Sequence, residues 1–126
     1  MMITHILVPV DFGDASAAAV TLAGRLAAGC GATLTLLHAE AFEAPVYFTS
    51  DQVSGLAAER RQRQEQAQRY LEQFGRKHTT SPFKAVIVMR PPAEAIAHAA
   101  AEADLVVLGT HGRTGPKRWW LGSVAE

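Results

Sequence analysis

The chain has 126 residues, enough for one domain with a sizeable core and too few for two ordinary ones. Twelve Lys plus Arg balance twelve Asp plus Glu, so the formal net charge is zero. That balance excludes nucleic acid and anionic membrane as principal partners, because both call for a positive field that this chain lacks overall, and it points to a small ligand.

The longest apolar runs, such as residues 6–10 and 105–108, have strand length and fall far short of the ~20 residues of a membrane-spanning helix. The N-terminus passes straight into a strand pattern, with no basic region, apolar segment or small-residue cleavage site, which predicts a cytoplasmic location. A single cysteine, Cys30, lies between Gly29 and Gly31 without a second Cys for a disulfide, redox or zinc motif, and reads as a structurally neutral thiol.

In chain order, a strand is predicted over residues 3–10. Asp14 or Ser16 then caps an alanine-rich helix reaching about Ala28, with Val20, Ala23, Gly24 and Ala27 as its inward stripe and Gly29-Cys30-Gly31 as its end. A second strand covers 33–39, and residues 40–50, with Pro45, show no clear period. The longest helical pattern runs from about Asp51 to Lys77. Arg60, Arg61, Arg63 and Glu65 project into solvent there, before Ala67, Tyr70, Leu71 and Phe74 form a stripe. A third strand follows over 84–89, then a helix from Pro91-Pro92 to about Glu102, with Glu94 complementing the dipole of its first turn. The fourth strand is predicted over 104–109. Strands that are nearly continuous in Val, Ile and Leu fit burial on both faces. Strand alternating with helix gives an α/β class: an open, mostly parallel twisted sheet, Rossmann-like, with helices on both faces and one domain over 1–126. No repeat, low-complexity tract or interdomain linker interrupts it.

The stretch Gly109-Thr110-His111-Gly112-Arg113-Thr114-Gly115-Pro116-Lys117-Arg118-Trp119-Trp120-Leu121-Gly122-Ser123 follows the fourth strand, at the sheet edge where open parallel sheets bind ligands. Its glycines let backbone N–H groups turn toward one anion. Gly122-Ser123 reads as the cap of a new helix, a second anion-favouring element. Arg113, Lys117 and Arg118 make the segment cationic within a neutral chain, while Trp119-Trp120 reads as an apolar anchor for the loop.

The spacing Gly-x2-Gly-x9-Gly-Ser, here Gly109, Gly112, Gly122 and Ser123, resembles the ATP-binding signature of universal stress proteins. The stretches Ile6-Leu7-Val8-Pro9-Val10-Asp11-Phe12 and Leu36-Leu37-His38-Ala39 are similar to that family's first strand with its turn and to the end of its second strand. Gly122-Ser123-Val124-Ala125-Glu126 is similar to its usual continuation, so the resemblance runs from end to end. It implies an adenine nucleotide, ATP with Mg²⁺ or Mn²⁺. Adenine and ribose would touch Pro9, Val10, Asp11 and Ala39, and phosphates would lie along Gly109, Gly112, Gly122, Ser123 and Val124. His111 and Arg113 join this set as loop residues within reach of phosphate. Asp11 has the chemistry to accept from ribose hydroxyls or to help hold the metal, and Ser123 to donate to phosphate. Asp11 also reads as a plain turn or cap residue, and the glycines as an ordinary loop.

His5, His38, His78 and His98 lack zinc-ligand spacing and read as structural histidines. Asp11, His111 and Ser123 do not make a hydrolase triad, since the Gly-x-Ser-x-Gly elbow is absent. The functional expectation is a stress-linked, nucleotide-dependent sensor or regulator and not a dedicated enzyme. The alternatives are a slow ATPase or adenylyl-transferring enzyme, and a protein-interaction module without nucleotide. A Walker A motif is missing, and residues 9–14 lack the hydroxyl-rich loop of a flavodoxin-like carrier. The resemblance also implies a further helix and strand beyond Ser123, which the chain lacks. On that reading the domain is C-terminally incomplete and the uncharged run 105–108 becomes an open sheet edge; the chain then forms a homo-oligomer through that edge or the apolar surface beside it, or else is a truncated product less stable than a longer parent.

Overall fold

The computed structural model describes residues 2–41, 50–110 and 118–123. The element order is β1 His5–Pro9, α1 Asp14–Cys30, β2 Thr33–Ala39, α2 Ser50–His78, β3 Lys84–Val88, α3 Pro92–Ala100, β4 Leu105–Thr110 and β5 Arg118–Ser123. The sheet order is β3-β2-β1-β4-β5, with β1 to β4 parallel and β5 antiparallel to β4. Seven elements therefore match the sequence expectation, and most of residues 40–50, the stretch without a period, lies outside the described residues.

Parallel strands buried on both faces put odd and even residues into two cores. Ile6 and Val8 of β1, with Val10 just past its end, join Leu34, Leu36, Ile87 and Val107 beneath α1 and α2, where Val20, Ala23 and Ala27 meet Leu71. Leu7 and Leu37 face the other way with Val86, Val88 and Val106, against Ile96, Ala99 and Ala100 of α3 and the following Ala103. The small residues of α1 let its axis lie close to the sheet. Its end is set by Gly31, whose φ of 70° is left-handed and whose N–H returns to Ala27 O.

Three local expectations are corrected. Neither Asp14 nor Ser16 caps α1; Gly13 holds the N-cap position without a side-chain cap bond, because Ser16 lies inside the first turn with its hydroxyl turned back to Asp11. Tyr70, counted in the helical stripe of α2 with Ala67, Leu71 and Phe74, is 56% exposed, although its ring packs edge-to-face with Phe12. Gly122-Ser123 does not open a helix. It closes β5, whose pairing covers the open edge of β4: an uncharged, apolar strand edge recruits the nearest chain able to satisfy its backbone, here the segment that follows it.

The start of β1 is clamped by Asp104, just before β4. Its Oδ2 accepts from Thr4 Oγ1 at 2.7 Å, Thr4 N at 2.8 Å and His5 N at 3.0 Å. The Thr4 hydroxyl, then the Thr4 N–H, hold this carboxyl below its usual range, with the His5 N–H and ring adding to the effect and partial desolvation opposing it. A carboxyl depressed on folding contributes stability that is fully present above its unfolded pKa, about 3.9, and is lost as pH falls through the lower folded value. Asp104→Asn is thus expected to melt below wild type at pH 7, with the gap closing in melts taken below about pH 4. A gap independent of pH would mean that the charge is not what the clamp uses.

Candidate functional site

The strand order reverses direction between β1 and β4: β1 is followed outward by β2 and β3, and the chain then crosses by α3 to the other side. Open α/β sheets bind ligands at the carboxyl ends of strands at such a point. A cavity of about 210 Å³ opens there. Its walls are the ends of β1 (Pro9, Val10, Asp11), β2 (Leu37, His38, Ala39) and β4 (Leu108, Gly109), with Ser16 from α1 and Pro92 and Ile96 from α3. Among the wider grooves, one of about 550 Å³ lies over the outer part of the α3 face and one of about 720 Å³ at the amino ends of the strands. Neither joins three strand ends to two helix starts.

The floor is rigid because its backbone groups are paired. Val10 N donates to Leu37 O at 2.8 Å, and His38 Nδ1 lies 2.7 Å from Val10 O. A carbonyl only accepts, so Nδ1 carries the proton and His38 is a structural donor locking the end of β2 to the end of β1. Its Nε2 lies 3.5 Å from Glu40 Oε1, and the Phe12 ring packs at 4.5 Å.

Asp11 is exposed at the cavity wall, and its Oδ1 accepts from Gly13 N at 2.9 Å and from Ser16 Oγ at 2.6 Å. Ser16 Oγ in turn accepts from Asp11 N at 2.9 Å. The turn-residue reading of Asp11 is therefore geometrically real, and it leaves a carboxylate held in one orientation beside the cavity.

Of the residues singled out in the sequence, Pro9, Val10, Asp11, Ala39 and Gly109 come together around this cavity. His111, Gly112, Arg113 and Val124 lie outside the described residues. Gly122 and Ser123 are elsewhere: β5 sets them opposite Val106 and Leu105, whereas Gly109 faces Trp119. Four residue steps along the strand separate Leu105 from Gly109, roughly 13 Å. Gly109 itself has a packing reason to be glycine, since a Cβ there would meet the carbonyl carbon of Ala15 at 2.6 Å and its Cβ at 2.8 Å. The sequence reading missed Ser16, Leu37, His38, Pro92, Ile96 and Leu108 as wall residues. Ser16 carried a usable signal, a lone hydroxyl in the otherwise alanine-rich first turn of α1, and Leu37 and His38 stood in the family-like end of the second strand; Pro92, Ile96 and Leu108 carried none beyond their strand and helix patterns.

No described helix is long and apolar enough to cross a membrane. Among the described residues, no group of three or more His, Cys, Asp or Glu is arranged to hold a metal ion.

This arrangement has relatives. A universal stress protein from Lactobacillus plantarum is 33% identical, with 98% of this chain and 88% of that one covered and a TM-score of 0.60. Two more distant structures share the fold. One is a universal stress protein in complex with cAMP (23% identity, 91% and 79% covered, TM-score 0.59); the other, from Archaeoglobus fulgidus, is in complex with dAMP (20% identity, 91% and 86% covered, TM-score 0.55). No curated protein of established function matches the chain. The family model for universal stress proteins matches residues 2–126. With that match and the 33% identity across nearly the whole chain, the protein belongs to the universal stress protein family.

Proposed function

We propose that this chain binds an adenine nucleotide, ATP together with Mg²⁺ or Mn²⁺, and acts as a nucleotide-dependent sensor or regulator in a stress response. The observation that carries the reading is the cavity at the switch point, where an apolar floor of Val10, Leu37, Ala39 and Ile96 lies beside the fixed carboxylate of Asp11. A flat base suits the first and sugar hydroxyls suit the second. Two distant relatives solved with cAMP and dAMP support the ligand class. Phosphates would extend past Gly109 toward His111, Gly112 and Arg113. Gly122, Ser123 and Val124 would join them once β5 separates from β4, since the paired strand keeps the first two at its far end.

Asp11 fits a single carboxylate ligand to a metal held mainly by phosphates, the usual way a protein holds Mg²⁺ with a nucleotide. The metal would neutralise phosphate charge, while the chain's own groups bind base and sugar. Cytoplasmic residence and a homo-oligomeric state belong with this reading.

Calorimetry with ATP, with and without Mg²⁺, tests it on wild type and Asp11→Ala. Loss of a charge-assisted hydrogen bond, about 1.5–3 kcal/mol, predicts affinity roughly ten- to a hundredfold weaker. If Asp11→Ala instead melts far below wild type while its folded fraction keeps full affinity, Asp11 is a turn residue only. Chromatography of whatever is released when the purified protein is denatured identifies a co-purified ligand independently.

A further inference from the structure

We propose that Ser16 is the positioning residue that makes Asp11 a reader of ribose hydroxyls, an inference that rests on the nucleotide reading above. Ser16 is 2% exposed and is the one fully buried polar residue of the core among the described residues. It lies on the cavity wall in a helix whose neighbouring positions 15, 17, 18 and 19 are all alanine. Alanine is also the better helix former, so the hydroxyl has a reason other than helicity.

That hydroxyl is committed twice to one residue. It donates to Asp11 Oδ1 at 2.6 Å and accepts from Asp11 N at 2.9 Å, so it fixes both the backbone and the side chain of Asp11. With Gly13 N also donating to Oδ1 at 2.9 Å, two donors on one oxygen set the plane of the carboxylate. A ligand hydroxyl then meets an oriented acceptor and does not have to immobilise it, which is how preorganisation raises affinity.

A second observation points to the same turn. Phe12, next to Asp11, has φ 67°, the one positive φ of a non-glycine residue among the described residues. This conformation is strained for a bulky side chain and persists where the surroundings hold it. The hold is visible: the ring packs on His38 at 4.5 Å, Tyr70 at 4.7 Å and Phe74 at 5.5 Å. Asp11 is thus gripped from the α1 side by a buried hydroxyl and from the α2 side through its neighbour's ring. Satisfying Gly13 N alone would need neither.

The experiment compares ATP with 2′,3′-dideoxy-ATP on wild type, Ser16→Ala and Ser16→Cys. Cysteine is nearly isosteric and only a weak donor, so it keeps the test available if the alanine variant folds poorly. Both variants are expected to lose roughly tenfold in ATP affinity, the worth of one charge-assisted hydrogen bond, while affinity for the dideoxy analogue moves less than about twofold. On an Asp11→Ala background, Ser16→Ala should have no further effect on ATP, because the serine acts through the carboxylate. Equal losses for both nucleotides, or no loss for either, would overturn the proposal and leave Ser16 as a packing residue. The broader reading fails differently: wild type that binds ATP and its dideoxy analogue equally removes the ribose from Asp11, and wild type that binds neither removes the nucleotide. Each result takes this proposal with it.

Discussion

Gly109→Ala is expected to destabilise the fold by about 1–3 kcal/mol, as overpacking of a filled interior does. The added Cβ would lie 2.6 Å from the carbonyl carbon of Ala15 and 2.8 Å from its Cβ, and would overlap its carbonyl oxygen. These atoms cannot yield cheaply. Ala15 is 1% exposed in the first turn of α1, flanked by the Asp11–Ser16 hydrogen bonds and by the Ala17 N to Gly13 O bond. Gly29→Ala is the control: nothing lies within 4 Å of its Cβ and it sits in the last turn of α1, so the substitution should be neutral or stabilising by up to about 1 kcal/mol. Urea denaturation of the two variants beside wild type decides between them, and equal midpoints for all three would show that β4 and α1 are not packed this closely. The result also bears on function. A glycine that β4 needs in order to lie against α1 is accounted for without any ligand, so its place in the Gly-x2-Gly-x9-Gly-Ser spacing is weaker evidence for phosphate than the spacing suggests.

What the sequence displayed and what it hid divide along physical lines. β1 to β4 were legible as nearly continuous apolar runs and α1 to α3 from their end signals or helical stripes, and Val20, Ala23, Gly24 and Ala27 were all correctly placed inside. The strand-end residues Pro9, Asp11 and Ala39 were legible only through the family resemblance, and the parallel topology is the physical reason that they share one edge with Gly109. The partners of Asp11 were not legible. Ser16 reads as a helix cap from its spacing alone, and only the left-handed turn at Phe12 brings its hydroxyl back to the carboxylate five residues earlier. The largest departure is β5, where short-range signals were read as a helix start. Trp119, Trp120 and Leu121 have strand propensity equally well, and what decides between helix and strand is an unpaired edge next door, which no local window contains.

That edge carries the second large effect. Leu121→Pro is expected to turn the protein into a self-associating one, or to deepen any association that wild type already shows. Leu121 pairs with Val107 near the middle of β4–β5. Proline there has no N–H and fixes φ near −65°, against about −140° for an antiparallel strand, so pairing should fail over much of Arg118–Ser123. The edge then left open, Leu-Val-Val-Leu-Gly-Thr, has no charge and no proline to discourage another strand. The opposite edge of the sheet shows the contrast. There, Gln68 Nε2 donates to Ala85 O of β3 at 2.9 Å and Arg60 Nη2 to Met89 O, just past β3, at 3.3 Å, so side chains of α2 already occupy carbonyls that a foreign strand would need. Sedimentation velocity over a wide concentration range should therefore show Leu121→Pro shifting to larger species at concentrations where wild type does not, with hydrogen exchange faster at residues 105–110. If exchange there is unchanged and the sedimentation profiles superimpose, β5 is not what covers β4, and Gly122 and Ser123 are free to meet a phosphate without first leaving a strand.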